Sequence, residues 1–77
     1  MSDVPPINGK DLIKVVKRLG REAGVEVQFV RHRGKGSHGT LYYGDRYVVL
    51  PDRKRDIGPG LMNHIARQLG IPRDRLR

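Results

Sequence analysis

Three histidines are the groups in this chain best suited to proton transfer near neutral pH. Their surroundings separate them. His38 follows Lys35-Gly36-Ser37, where a glycine-bearing turn passes into a strand, with Arg33 close behind. An imidazole so placed can take or return a proton during phosphodiester cleavage. RNA asks for little more, because its own 2′-hydroxyl is the nucleophile and a cation need only stabilise the charge gathering on phosphate. Lys35 and Arg33 would supply that charge, and Ser37 with the N–H groups of the turn would hold a phosphate oxygen. A lone strand histidine is more often a surface residue, so spacing alone leaves both roles open. His32, if opposite His38, offers a second imidazole; its other role is that of an incidental exposed residue. His64 borders an apolar helix stripe and reads as structural or solvated.

Other chemistries fail on spacing. Gly34-Lys35-Gly36-Ser37 lacks the GxxxxGK[ST] pattern of a phosphate loop. It joins strands, so it is not the GXXG loop of a KH domain. The histidines have no HxxxH or similar spacing, so neither a metal nor another cofactor is expected. No Ser-His-acid arrangement can be argued.

The elements that must position His38 follow from periodicity. Asn8 is an N-cap with Asp11 three residues later. Leu12, Val15, Val16 and Leu19 recur at helical spacing, and Gly20 is the expected terminator, so a first helix is predicted over about Gly9 to Leu19. Val25 to Arg33 alternates as a strand does. A second strand runs from about His38 to Tyr43. Gly44-Asp45 suits a type II′ hairpin turn, and a third strand runs from Arg46 to Leu50, ended by Pro51. Asp52 to Asp56 is a charged loop. A second helix starts at Pro59, carries Leu61, Met62, Ile65 and Leu69 on one face, and stops at Gly70.

The hairpin turn pairs Tyr43 with Arg46, so Leu41 opposes Val48 and Tyr42 opposes Tyr47. A three-residue turn over Gly34 to Gly36 makes His38 oppose His32 and Phe29 oppose Leu41, which gathers the large apolar residues on one face. Val25, Val27, Phe29, Leu41, Val48 and Leu50 then form the covered face, under Leu12, Val16, Leu19, Leu61, Ile65 and Leu69. His32, His38, Tyr42 and Tyr47 fall on the open face. The predicted fold class is α+β, in the double-stranded-RNA-binding-like order α-β-β-β-α, with a three-stranded antiparallel sheet and both helices on one face. The expected organisation is a flexible lead-in over residues 1–6, one domain over 7–72 and a basic tail over 73–77.

Composition narrows the partner. The 77 residues hold 16 Lys and Arg against 8 Asp and Glu, for a net charge of +8. A field of that sign on one small domain attracts polyanions, and nucleic acid is the first expectation. On the first helix Lys10, Lys14, Lys17 and Arg21 form a stripe opposite the apolar one. An ordinary solvated face is the more common origin of such a stripe. No apolar run approaches the length that spans a bilayer, and the start of the chain has no signal-peptide pattern, so no membrane association is expected. Cysteine is absent, which suits a reducing cytoplasm.

Three segments together resemble the HicA toxin family. These are Asn8-Gly9-Lys10-Asp11-Leu12-Ile13-Lys14, then Gly36-Ser37-His38, then Ile57-Gly58-Pro59-Gly60-Leu61 running to Gly70-Ile71. The resemblance spans about residues 7 to 72. It implies a toxin of a type II toxin–antitoxin system: an endoribonuclease that cleaves mRNA without a metal, with His38 catalytic, neutralised by a HicB-type antitoxin. The RNA-binding set expected here is Lys10, Lys14, Lys17, Arg33, Lys35 and Ser37, and the antitoxin is expected to cover the His38 face. Many members carry a second histidine where this chain has Gly39, and the Gly20 to Val25 link is longer than usual. The alternatives are a non-catalytic RNA-binding module of the same fold and a domain that binds an acidic protein.

Overall fold

The computed structural model describes residues 7–33, 38–51 and 53–76. Helix α1 covers Gly9–Ala23 and starts as expected, with the Asn8 side chain accepting a hydrogen bond from the Asp11 N–H at 2.9 Å. It does not stop at Gly20. The left-handed terminating position falls to Gly24, at φ 71. Gly20 stays helical and buried for a tertiary reason. A Cβ there would lie 2.7 Å from the Val25 carbonyl oxygen and would overlap the Val27 side chain, so the glycine lets β1 cross close to the helix.

Strands β1 (Val27–Arg31), β2 (Gly39–Tyr43) and β3 (Arg46–Leu50) form one antiparallel sheet in that order. β1 is shorter at both ends than its alternating sequence predicts, and β2 begins at Gly39 rather than His38. The predicted register holds. Phe29 pairs with Leu41, Leu41 with Val48, and Tyr42 with Tyr47. Gly44 has φ 64 while Asp45 has no positive φ, as a type II′ turn requires. Helix α2 covers Pro59–Leu69, with Pro59 in its first turn and Gly70 at φ 70 after its end.

α1 lies over β1 and β2, and α2 over β3. Leu12, Val16, Leu19, Met62, Ile65 and Leu69 close onto Leu41, Val48 and Leu50, so both helices cover one face, as expected. Leu61 takes part only at the margin, half-buried. The segment read as a basic tail departs from expectation. Arg73–Arg75 forms a 3-10 turn, and Leu76, 1% exposed, drops into the core. Its single apolar side chain was outweighed in the sequence by the arginines around it. The lead-in over residues 1–6 lies outside the described residues, and no helix among them is long and apolar enough to cross a membrane.

Candidate active site

His38 stands immediately before β2. The sheet ladder continues one step past Arg31–Gly39, where the His32 N–H donates to the His38 carbonyl at 3.0 Å. His32 and His38 are therefore cross-strand neighbours, as the predicted register requires. On the other side Gly39 pairs with Leu50, so the strand end at Pro51 comes alongside His38. His38 is exposed and lines a cleft of about 480 Å³ with Pro51, Arg55, Asp56, Ile57 and Leu61.

The wall of this cleft is the loop between β3 and α2, and α1 holds that loop. The Lys10 N–H donates to the Arg53 carbonyl at 3.1 Å, the Ile57 N–H donates to the Ile7 carbonyl at 2.8 Å, and Asn8 bridges to Asp56. Gly9 permits the approach, because a Cβ there would lie 2.7 Å from the Arg53 Cα. Arg53 also places its guanidinium 5.2 Å from the centre of the Phe29 ring, a cation–π contact. The Phe29 ring in turn covers Gly39. A Cβ on Gly39 would overlap that ring and sit 2.7 Å from the Val30 carbonyl oxygen. Glycine beside the histidine is thus a packing requirement of this chain, since any side chain there displaces Phe29.

The cleft contains groups of both signs, Arg55 and Asp56, beside the imidazole. Leu61, in the first turn of α2, also lines it. That turn carries no acidic residue of its own, but Asp56, just before the helix, lines the same cleft and partly offsets the positive charge of the helix start. An anion entering the cleft meets Arg55 and this helix end, with the Asp56 carboxylate opposing them.

His32 is half-buried, and its Nε2 lies 2.8 Å from the Thr40 Oγ1. Thr40, one step diagonal from it on the open face, holds the ring in place. His64 is exposed on α2. Lys10, Lys14 and Lys17 are all exposed along α1, and Arg33 is exposed two residues past the end of β1. The backbone of Lys10, the first residue of the stripe, is tied to the loop that walls the cleft. Lys35 and Ser37 lie outside the described residues. Tyr42 and Tyr47 are exposed on the open face as predicted. They do not surround His38, however: Tyr42 is four residues along β2 from it, about 13 Å away.

Sequence reasoning missed Arg55, Asp56, Pro51, Ile57 and Leu61. One signal was present. With Leu41 opposite Val48, Pro51 must oppose His38, which puts the start of the charged loop beside the imidazole. The fold of the loop back over the site depends on Ile7 and Gly9, far away in sequence. Among the described residues no three His, Asp or Glu groups converge.

A helix-covered three-stranded sheet, with an exposed imidazole in a mixed-charge cleft at its end, defines a small basic α+β domain. The family model described as the HicA toxin of bacterial toxin–antitoxin matches residues 9–71. The chain belongs to the HicA toxin family. No curated protein and no solved structure matches it. As a member, it is a toxin of a toxin–antitoxin system, and that class of system supplies an antitoxin partner.

Proposed function

We propose that the protein is an endoribonuclease that cuts mRNA with His38 as general base. The observation that carries this is the placement of His38 beside Arg55 in a cleft whose wall is tied to the backbone of Lys10, the first residue of the exposed stripe Lys10, Lys14 and Lys17. His38 takes the proton of the ribose 2′-hydroxyl. The 2′-oxygen attacks phosphorus, the bond to the 5′-oxygen breaks, and that oxygen leaves with a proton from water. The ends produced are a 2′,3′-cyclic phosphate and a 5′-hydroxyl. Arg55 and the start of α2 face the phosphoryl oxygens as charge accumulates on them. Arg33, Lys35 and Ser37 hold the chain on one side of the cut, and the α1 stripe binds further phosphates.

The antitoxin in this proposal is a HicB-type protein that covers the His38 cleft and is acidic where it meets Arg55 and the stripe. Complementary charge speeds such an encounter and sets its orientation. The setting is the cytoplasm, where mRNA and a cysteine-free chain coexist. The test is incubation of purified protein with RNA in the presence of a chelator, followed by analysis of the ends. Cleavage that leaves cyclic phosphates supports the mechanism. Intact RNA, or 5′-phosphate ends, refutes it.

A further inference from the structure

The exposed aromatic pair on the open sheet face has no part in the cleft. Tyr42 and Tyr47 are directly paired across β2 and β3. Their ring centres are 6.0 Å apart at an interplanar angle of 41°, and they are 39% and 59% exposed. The next cross-strand row toward His38 is Val30, Thr40 and Val49, with the two valines 47% and 50% exposed. The row after that holds His32 and His38. No carboxylate stands in the three rows, whose remaining members are Gln28 and Pro51.

The geometry points to a stacking platform: Tyr42 and Tyr47 bind unpaired bases of an RNA strand on one side of the cut, while the α1 stripe takes the phosphates on the other. This rests on the ribonuclease proposal above and extends it to substrate class, namely single-stranded RNA. Three observations favour RNA as the occupant. The face leads without interruption from the histidine row to the tyrosines. The chain carries a net charge of +8, which draws a polyanion to a face free of acids in these rows. The exposed groups are phenol rings interspersed with Gln28, Thr40 and His32, which suit the flat face and polar edge of a base. An endonuclease must hold its substrate on both sides of the scissile bond, and the cleft lies at the sheet end where the strand can pass from α1 to the open face.

Base–aromatic stacking is sequence-tolerant and has a characteristic size. Each of Tyr42→Ala and Tyr47→Ala should weaken binding of a short 2′-O-methyl oligoribonucleotide, a ligand the proposed chemistry cannot cut, by roughly 5- to 150-fold. Tyr42→Phe and Tyr47→Phe should bind like the parent, and a fully paired RNA duplex should show no dependence on either ring. In the unmutated protein, NMR titration with the single strand should move the ring protons of both tyrosines upfield, a readout that needs no variant to fold. Unchanged affinity in folded Ala variants and unmoved ring signals would overturn the platform while leaving cleavage in place. Loss of antitoxin binding with RNA binding intact would overturn it in favour of a protein-covered face. A parent protein that neither binds nor cuts any RNA would instead bring down the ribonuclease proposal beneath it.

Discussion

The proposed reaction turns on His38, exposed in the cleft and absent from the core. Replacing it by alanine removes an acid–base group, which typically lowers a rate by about 10²–10⁴. The fold should scarcely notice, with a stability change of no more than about 0.5 kcal/mol, as for a surface substitution. Initial cleavage rates and a melting curve on the same preparation check both halves. His64→Ala, on the exposed face of α2, should keep most activity. Folded His38→Ala protein that cuts RNA at the parent rate would sink the assignment. The sequence pointed to this residue because its neighbours, a glycine turn with cations, are local. It did not point to Arg55, whose nearness to the imidazole depends on a loop held by residues some forty-five positions earlier. Nor did it show why Gly39 follows the histidine, since the ring that fills that space comes from β1.

Among the elements, α1 tests two separate ideas. By intrinsic propensity Gly20→Ala should favour a helix by about 1 kcal/mol. The tertiary contact reverses the sign, because the new methyl group meets Val27 and the Val25 carbonyl. Overpacking of this kind typically costs about 1–3 kcal/mol, so denaturant titration should show a lower midpoint for the variant. A higher midpoint would mean that β1 moves aside easily. The end of α1 was illegible for the same reason: Gly20 and Gly24 look alike as terminators, and only the crossing strand decides between them. The outer stripe of the helix is a different matter. Charge reversal at Lys10, Lys14 and Lys17 should weaken RNA binding, and each lost phosphate contact should reduce the slope of log affinity against log salt by about 0.7 for a single strand. An unchanged slope would make the stripe a solvated face. The register of the sheet, by contrast, was fully legible, because shifting it by one residue would carry Phe29 away from Leu41 and turn the core outward.

At the scale of the whole molecule, 77 residues leave little surplus stability. Leu76 is therefore a core residue of consequence, buried with Leu69 and Ile71. Leu76→Ala should cost about 2–5 kcal/mol, a large share of the roughly 5–15 kcal/mol that holds a typical domain together. A melting experiment should show a sharply lowered transition, whereas Arg75→Ala should change little, because its ion pair with Glu22, 3.8 Å long, is exposed at both ends. If Leu76→Ala melts with the parent, the last turn is an ornament on the domain. Layout, layers and the paired strands followed from local pattern and burial. The last turn did not, since one leucine among arginines carries no periodicity.

The clasp of residues 7–10 on the loop 53–57 has a genetic consequence. It ties the start of the domain to the wall of the cleft through Gly9, the Lys10 N–H and the Ile57 N–H, so the cleft exists only in a chain that has closed over most of its length. In a selection for cells that survive expression of this toxin, silencing mutations should therefore fall in two groups. A few should strike His38 itself and leave abundant protein. A larger number should strike positions that hold the fold, such as Gly9, Gly20, Gly39 and Leu76, and should be recognised by low protein abundance. Survivors at Gly9 that accumulate folded, correctly melting protein would show that the wall stands without its clasp.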